Sequence, residues 1–204
     1  VDSLQSYDFR AAHQALYNFC NDTLSATYCA AVKDRLYCDS IDSDRRKRTA
    51  ATMRILSDSL CRLIAPFLPH TSDEAWRSLH GEDAPSVHLQ KFANIGYPSD
   101  EAWDEVMKVR DEALKALEES KVSGIDNPLD AGLVLPESVR GFDTCDLADL
   151  CGVSRVSFEG SAVVVQDLRE EPKCDRSWKR DGTVKLRSDG GMLSDRDAVA
   201  VSVE

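Results

Sequence analysis

The sequence predicts a mainly α-helical protein, in which an antiparallel helical bundle is followed by a small α/β unit. Two long segments near the N-terminus place apolar residues at helical spacing and contain no glycine or proline. A short polar stretch joins these segments, which favours antiparallel neighbours. Beyond Gly124, short apolar runs alternate with turn residues, a pattern typical of short strands and helices. The composition, 42% hydrophobic and 30% charged, is sufficient for a buried core.

The first long segment, Tyr7–Tyr37, predicts a helix of roughly 45 Å at 1.5 Å per residue. Its apolar stripe advances in alternating steps of three and four, through Phe9, Ala12, Leu16, Phe19, Thr23, Ala26 and Ala30. Because a helix gains little stability in isolation, this stripe must pack against partner helices.

The second long segment predicts a helix from about Arg45 to Ala65, with Ser43 or Asp44 as its N-cap. Its apolar stripe runs through Thr49, Met53, Leu56, Leu60, Leu63 and Phe67. Because the connecting loop is short, the two helices are expected to form an antiparallel hairpin with facing stripes.

Two further helices are predicted before Gly124, beyond which the sequence pattern changes to short apolar runs. Pro66 and Pro69 end the second helix, and the capping box Thr71–Glu74 predicts a third that ends at Gly81. Val87–Phe92 is predicted to be extended. A fourth helix is expected to begin at Pro98-Ser99, with Ser99 as its cap and an inner face of Trp103, Val106, Ala113, Leu114 and Leu117.

The rest of the chain predicts short elements. Ala131–Leu135 is predicted as a strand and Cys145–Leu150 as a helix, and Val153–Phe158 and Ala162–Leu168 as a strand pair around Glu159-Gly160. In the tail, Thr183–Leu186 and Ala198–Val203 are predicted as β-like pieces. We place a boundary near residues 95–100, which gives a helical bundle over 1–97, a small α/β domain over 98–170 and a tail over 171–204.

The net charge of −11 disfavours simple nucleic-acid binding, DNA included, because affinity for phosphates comes from lysine and arginine. No stretch approaches the roughly 20 apolar residues of a membrane helix, so no membrane partner is expected. The seven cysteines include no CxxC pair, and Cys20, Cys29 and Cys38 alternate between opposite sides of a helix. We expect reduced thiols in a cytoplasmic protein. The sequence has no Gly-rich phosphate loop, no His-Glu-x-x-His and no Gly-x-Ser-x-Gly motif, so we expect no catalytic residues.

Two basic segments are candidate binding sites. The first basic segment consists of Arg45, Arg46, Lys47 and Arg48. Cations at a helix N-terminus oppose its dipole, which indicates an anionic partner, although a solvated helix start is the simpler interpretation. The second basic segment, Lys173–Arg180, surrounds one indole with cations: Lys173, Arg176, Lys179 and Arg180 around Trp178. Cations with an aromatic ring are typical of RNA-binding surfaces, but Trp178 as a core side chain among solvated cations is the alternative.

The order of several motifs resembles a known family. YDFRAAHQALYNFCNDTLSATYCAAVKDRLY is similar to the first helix of the anticodon-binding bundle in isoleucyl-tRNA synthetases, which are class I aminoacyl-tRNA synthetases. The segments LCRLIAPFLPHTSDEAW, SVHLQKF, RDEALKALEESKVSGIDNPLDAGLVL and DLADLCGVSRV resemble later parts of the same family, in the same order. EPKCDRSWKR resembles the KCERCWR motif of the family's terminal zinc ribbon.

This resemblance implies that the chain binds the anticodon stem and loop of isoleucine tRNA, as part of a monomeric, cytoplasmic ligase. In the family, the catalytic domain that uses ATP and Mg²⁺ carries HIGH and KMSKS signatures and lies upstream, and neither signature is in this sequence. The arginine and tryptophan of the family motif correspond to Arg176 and Trp178. The remaining predicted tRNA-binding residues are Lys173, Lys179, Arg180, Arg45, Arg46, Lys47 and Arg48.

One departure concerns the zinc. The family ribbon holds zinc through two CxxC pairs, whereas here Cys174 is followed by Ser177 and by no later cysteine. One thiolate cannot hold a structural zinc, so we expect a degenerate zinc-ribbon-like tail without a metal, and no cofactor in this chain. The alternative functions are a non-catalytic helical scaffold that binds another protein, and a redox or metal protein, which the cysteine spacing disfavours.

Overall fold

The computed structural model describes residues 1–92, 96 and 100–203. The protein is mainly helical, with 57% helix and 9% strand, which confirms the predicted class. The α-helices are α1 Asp2–Gln5, α2 Phe9–Asn18, α3 Ala30–Tyr37, α4 Asp44–Ile64, α5 Pro69–His80, α6 Glu101–Ser120, α7 Thr144–Cys151 and α8 Asp195–Val201. The strands are β1 Ala131–Leu135, β2 Arg155–Phe158, β3 Val164–Asp167, β4 Lys185–Leu186 and β5 Met192–Leu193. Within the described ranges, no helix combines the length and the apolar character needed to cross a bilayer.

The chain divides into two compact units that do not follow chain order. The first unit comprises Val1–Ala26 and Lys47–Pro98, and the second comprises Thr27–Arg46 and Ser99–Glu204. Two of the three divisions, at residues 26/27 and 46/47, fall within the two long helical segments. The three domains predicted at 1–97, 98–170 and 171–204 stay a prediction.

The segment from Phe9 to Tyr37 is helical throughout, but it is not one regular α-helix as predicted. Phe19–Cys29, between α2 and α3, is a π-helix. Because π-helical bonds join residues five apart, more residues fill each turn and the apolar stripe changes phase. Ala12 of the predicted stripe is buried, but Phe9, Phe19, Thr23, Ala26 and Ala30 are exposed. In α3, which follows the π-helix, the buried positions are Ala31 and Val32, one or two residues later than predicted.

Helix α4, which belongs to the first unit from Lys47 onward, begins and ends within about one residue of its prediction. Its predicted stripe is buried at Thr49 and half-buried at Met53, Leu56, Leu60 and Leu63. Helix α5 begins at Pro69, not at Thr71, because proline at the first helical position already has the required φ angle. It ends at Gly81, as predicted, where φ is +104°.

The core of the first unit forms around Trp76. This indole packs with Cys61, Ala65 and Val87, and its Nε1 donates a hydrogen bond to the Pro85 carbonyl at 2.9 Å. The prediction of an extended Val87–Phe92 is wrong for Val87–Leu89, which form a 3₁₀ turn. The reason is local capping: the Ser86 hydroxyl accepts from the His88 amide at 3.3 Å.

The second unit contains a three-stranded sheet in the order β2-β1-β3. Strand β1 pairs parallel with β2, which follows α7, and antiparallel with β3. The predicted pairing of the second and third strands around Glu159-Gly160 is therefore wrong, because both strands pair with β1. Strand β1 is buried at every position, so it forms the centre of the core together with α6 and α7.

Helix α6 is capped by Asp100, whose carboxylate accepts from the Ala102 amide at 3.0 Å. The predicted cap, Ser99, and Pro98 lie outside the described residues. Of the predicted inner face, Val106, Ala113 and Leu117 are buried, whereas Trp103 and Leu114 are exposed and Val109 is buried instead. The prediction was therefore correct along one edge of the helix only.

The tail contains a β4–β5 hairpin followed by α8. The prediction of a β-like Ala198–Val203 is wrong for the part that lies in α8. Ser194 starts this helix, because its hydroxyl accepts from the Asp197 amide at 3.1 Å. The apolar core of the tail consists of Cys174, Val184, Leu193 and Ala198.

Candidate nucleic-acid interface

A tight turn over Cys174–Lys179 carries most of the second basic segment. The Cys174 amide donates to the Lys179 carbonyl and the Trp178 amide to the Cys174 carbonyl, each at 2.9 Å. Trp178 has a φ angle of +64°, in the left-handed region that bulky residues rarely adopt. The turn is fixed to β5 because the Asp175 amide donates to the Met192 carbonyl at 2.8 Å. A rigid turn with an unusual backbone conformation therefore presents the indole.

The Trp178 side chain points into solvent. It is 57% exposed, so it is not the core side chain of the tail, and that alternative from the sequence is wrong. The Lys173 ammonium lies 4.9 Å from the centre of the indole ring, which is a cation–π contact. An exposed ring beside a cation can stack on an unpaired base while the cation contacts a phosphate.

Arg176, in contrast, is bound to the protein itself. Its Nη1 donates to Asp197 Oδ1 at 2.9 Å and also to the carbonyl of Cys38. Its Nη2 donates to the carbonyl of Tyr37 at 2.9 Å. The guanidinium therefore joins the tail to the C-terminal end of α3, within the second unit.

The next two cations of the segment are also committed to carboxylates. Lys179 is only 9% exposed, and its Nζ lies 2.6 Å from Asp149 Oδ1 and 3.4 Å from Asp34 Oδ2. Arg180 Nε lies 2.8 Å from Asp130 Oδ1, and its Nη1 donates to the Glu171 carbonyl. These contacts neutralise charge that the sequence alone presents as available for RNA.

The first basic segment also contains arginines that are bound to the second unit. Arg45 Nη2 lies 2.9 Å from Asp149 Oδ2, and Arg46 Nη1 donates to the Asp39 carbonyl at 2.9 Å. Burial lowers the pKa of Arg45, but the nearby carboxylates, Asp149 foremost, outweigh burial and raise it above its usual value. The side chains of Lys47 and Arg48 are exposed, and both residues belong to the first unit.

Asp149 is the residue that sequence reasoning missed. Its side chain is 1% exposed, and it accepts from Arg35, whose Nη2 lies 3.0 Å from Oδ2, as well as from Arg45 and Lys179. Asp34 has a similar role beside Lys179 and Arg196. Both aspartates are far in sequence from the cations of the second segment, so spacing gives no signal for these pairs.

The described residues contain no group of three or more His, Cys, Asp or Glu side chains arranged to hold a metal ion. In the tail, Cys174, Ser177 and Ser194 each donate a hydrogen bond to the Asp197 carboxylate.

Comparison with known proteins gives one family model and a set of relatives. Residues 2–130 match the model described as the anticodon-binding domain of tRNA ligase. An isoleucine–tRNA ligase of Brachyspira hyodysenteriae is 33% identical over 218 residues, covering 96% of this chain and 24% of that protein. One of Agrobacterium fabrum is 32% identical, covering 98% of this chain and 23% of that protein. One of Brevibacillus brevis is 34% identical over 178 residues, covering 81% of this chain and 19% of that protein. The chain thus spans about a quarter of the length of these relatives, or less.

Proposed function

Because the chain belongs to the family of anticodon-binding domains of tRNA ligases, we propose that it binds the anticodon stem-loop of a tRNA. The names of its relatives extend this proposal: the RNA is isoleucine tRNA, and the chain is a part of an isoleucine–tRNA ligase. Such an enzyme attaches isoleucine to its tRNA with ATP, through a catalytic centre in another part of the longer protein. The catalytic step, ATP and Mg²⁺ are therefore assigned to residues outside this chain.

The observation that carries the proposal is the exposed indole of Trp178 next to the Lys173 ammonium. Proteins that recognise a specific RNA sequence bind mainly to unpaired bases, which stack on aromatic side chains. An anticodon loop offers such bases. A ring held by a rigid turn loses little conformational freedom when a base stacks on it.

The predicted tRNA-binding residues then fall into two groups. Trp178 stacks on a base and Lys173 contacts a phosphate, while Lys47 and Arg48 supply further backbone contacts. The other five are scaffold residues, because each is bound to carboxylates or carbonyls of the second unit: Arg176, Lys179, Arg180, Arg45 and Arg46.

The proposal extends to the arrangement of the chain: the N-terminal helices pack antiparallel as a platform for the RNA hairpin, and the tail is related to a zinc ribbon. The protein acts as a monomer in the cytoplasm. The exposed side chains of Lys173 and Trp178 support a local RNA contact although the chain has a net charge of −11, because the charge of the whole chain does not set the charge of one local surface.

A binding titration with two tryptophan variants tests the proposal. We expect Trp178→Ala to weaken binding of the isoleucine tRNA anticodon stem-loop by about 1–3 kcal/mol, since one stacked base is lost. Trp103→Ala is the matched control, because its indole is also exposed, at 45%, but has no cation over the ring among the contacts described. Dissociation constants are measured at two salt concentrations, with an unrelated stem-loop in parallel.

Two outcomes would contradict the proposal. An unchanged dissociation constant for Trp178→Ala would remove this residue from the site. Equal and weak binding of both RNAs, without dependence on salt, would favour the alternative of a helical scaffold that binds another protein.

A further inference from the structure

The tail contains a buried carboxylate, Asp197, that accepts hydrogen bonds from several side chains. Its Oδ2 accepts from Cys174 Sγ at 3.3 Å, and from Ser177 Oγ and Ser194 Oγ at 2.7 Å each. Asp197 and Cys174 are 0% exposed and Ser194 is 1% exposed, so water has little access to these groups. We call Cys174, Ser177, Ser194 and Asp197 the Asp197 cluster.

The spacing of the Asp197 cluster is that of a zinc site. Cys174 and Ser177 are separated by two residues, and so are Ser194 and Asp197. Structural zinc sites commonly take their four ligands from two such pairs, which fold toward one point. Here the two pairs also converge, because the three donors meet at one oxygen atom of the fourth residue.

The chemistry of the cluster does not fit zinc. Zinc in structural sites is bound by thiolates, imidazoles and carboxylates, and two of the four residues here are serines. Two guanidinium groups also bind the same carboxylate: Arg176 Nη1 lies 2.9 Å from Oδ1 and Arg196 Nη2 lies 3.2 Å from Oδ2. Two fixed positive charges at this distance would repel a dication.

We infer that the Asp197 cluster is a hydrogen-bonded replacement for a structural zinc, which holds the tail together without a metal. The charges are reversed relative to a zinc site: an anion lies at the centre, and neutral and cationic donors surround it. Each donor directs a hydrogen bond to Asp197. The buried carboxylate therefore has hydrogen-bond partners, and they offset the free-energy cost of removing it from water.

The cluster also fixes the turn that carries Trp178. Cys174 and Ser177 lie within that turn, and Arg176 bridges Asp197 to the Cys38 and Tyr37 carbonyls. Arg176 is therefore a positioning residue. This inference concerns how the tail is held and does not depend on RNA binding.

Metal content and chelation test the inference on the full chain. We expect purified protein from zinc-supplemented cells to contain well below one zinc per chain, and its thermal midpoint to shift by less than about 1 °C with excess EDTA. Stoichiometric zinc, or a loss of tail amide protection on chelation, would overturn the inference.

A pair of aspartate variants in α8 tests the role of the carboxylate. We expect Asp197→Asn to reduce hydrogen-exchange protection of the Cys174 and Ala198 amides by at least ~10²-fold, because the half-buried guanidinium groups of Arg176 and Arg196 lose their counter-charge. Asp195→Asn is the matched control: its side chain is 60% exposed and pairs with Arg187, so we expect a change within about threefold. Equal effects of the two variants would overturn the inference.

Two more variants keep the test decisive if Asp197→Asn does not fold. Ser177→Ala removes one donor and should reduce the same protection by roughly tenfold or less. The triple variant Ser177→Cys, Ser194→Cys, Asp197→Cys should bind one zinc per chain and become sensitive to EDTA, since four thiolates then converge. A folded triple variant that binds no zinc would show that the four positions do not form one site.

Discussion

The two basic segments place their charges differently. In the first basic segment, the arginines that come first in sequence bind aspartates or a carbonyl of the second unit, and the next two cations are exposed. In the second basic segment, exposed and bound residues alternate along a tight turn, with Lys173 and Trp178 facing solvent. The second segment also contains an aromatic ring, which the first lacks.

This difference separates two tasks in RNA binding. Exposed cations without a ring attract phosphates of any sequence, and they can position an RNA but not select it. A cation with an adjacent ring can do both, because the ring stacks on a base. The count of basic residues in a segment therefore overstates its capacity for RNA, since carboxylates bind at least four of the eight cations here: Arg45, Arg176, Lys179 and Arg180.

The largest expected effect concerns Asp149, which both segments share through Arg45 and Lys179. We expect Asp149→Ala to lower the free energy of unfolding of the second unit by about 3–5 kcal/mol, because the buried Lys179 and the half-buried Arg35 and Arg45 lose their partner. Urea unfolding, with hydrogen exchange of the β1 amides as the local probe, measures this change.

Asp146 provides the control for this prediction. It also contacts Arg35 and Arg45, but its side chain is 49% exposed. Solvent weakens such pairs, so Asp146→Ala should cost about 0–1 kcal/mol. If both substitutions cost the same small amount, the two segments do not share a scaffold at Asp149.

A pH titration sharpens the comparison at Asp34, which binds Lys179 of the second segment. Burial raises the pKa of Asp34, but a hydrogen bond from Arg196 and the charge of Lys179 outweigh burial and hold the pKa below its usual value. A carboxylate with a lowered pKa stabilises the fold above its unfolded pKa of about 3.9, and this stabilisation is lost as the pH falls through the folded value.

We therefore expect Asp34→Asn to lower the free energy of unfolding by about 1–3 kcal/mol near neutral pH. The difference from the unchanged protein should stay constant down to about pH 5 and shrink below about pH 4. Urea unfolding at a series of pH values measures it. If the difference instead grew as the pH fell, the surroundings of Asp34 would disfavour its ionised form.

Much of the fold could be predicted from the sequence because it depends on local signals. The stripe of α4, the glycine that ends α5 and the all-apolar run of β1 each specify an element through periodicity or backbone preference. The phase of the first helical segment could not be predicted, because nothing in Phe19–Cys29 distinguishes π-helical from α-helical hydrogen bonds. Helix α8 was missed because its Ala-Val alternation is typical of a strand, and the Ser194 cap decides otherwise.

In the candidate site, too, local sequence signals could be interpreted, whereas contacts between distant residues could not be predicted. The order of motifs identified the family correctly, whereas the binding site at Trp178 stays a prediction. Which cations are available could not be predicted, because this depends on partners such as Asp149 for Lys179 and Asp130 for Arg180, at 30 and 50 positions of separation. Only the folded chain brings these charges together.

The smallest expected effect is on the salt dependence of RNA binding, and it compares the two segments directly. We expect Lys173→Ala and Arg48→Ala each to weaken binding by about 1 kcal/mol or less, and to reduce the slope of log K against log salt by about 1, because one phosphate contact is lost. Arg45→Ala is the control: its guanidinium binds Asp149, so it should lower stability but leave the slope unchanged for the folded protein. Titrations at four salt concentrations separate these cases. A reduced slope for Arg45→Ala would show that its ion pair opens to bind RNA, and the division between scaffold and contact residues would then fail in the first basic segment.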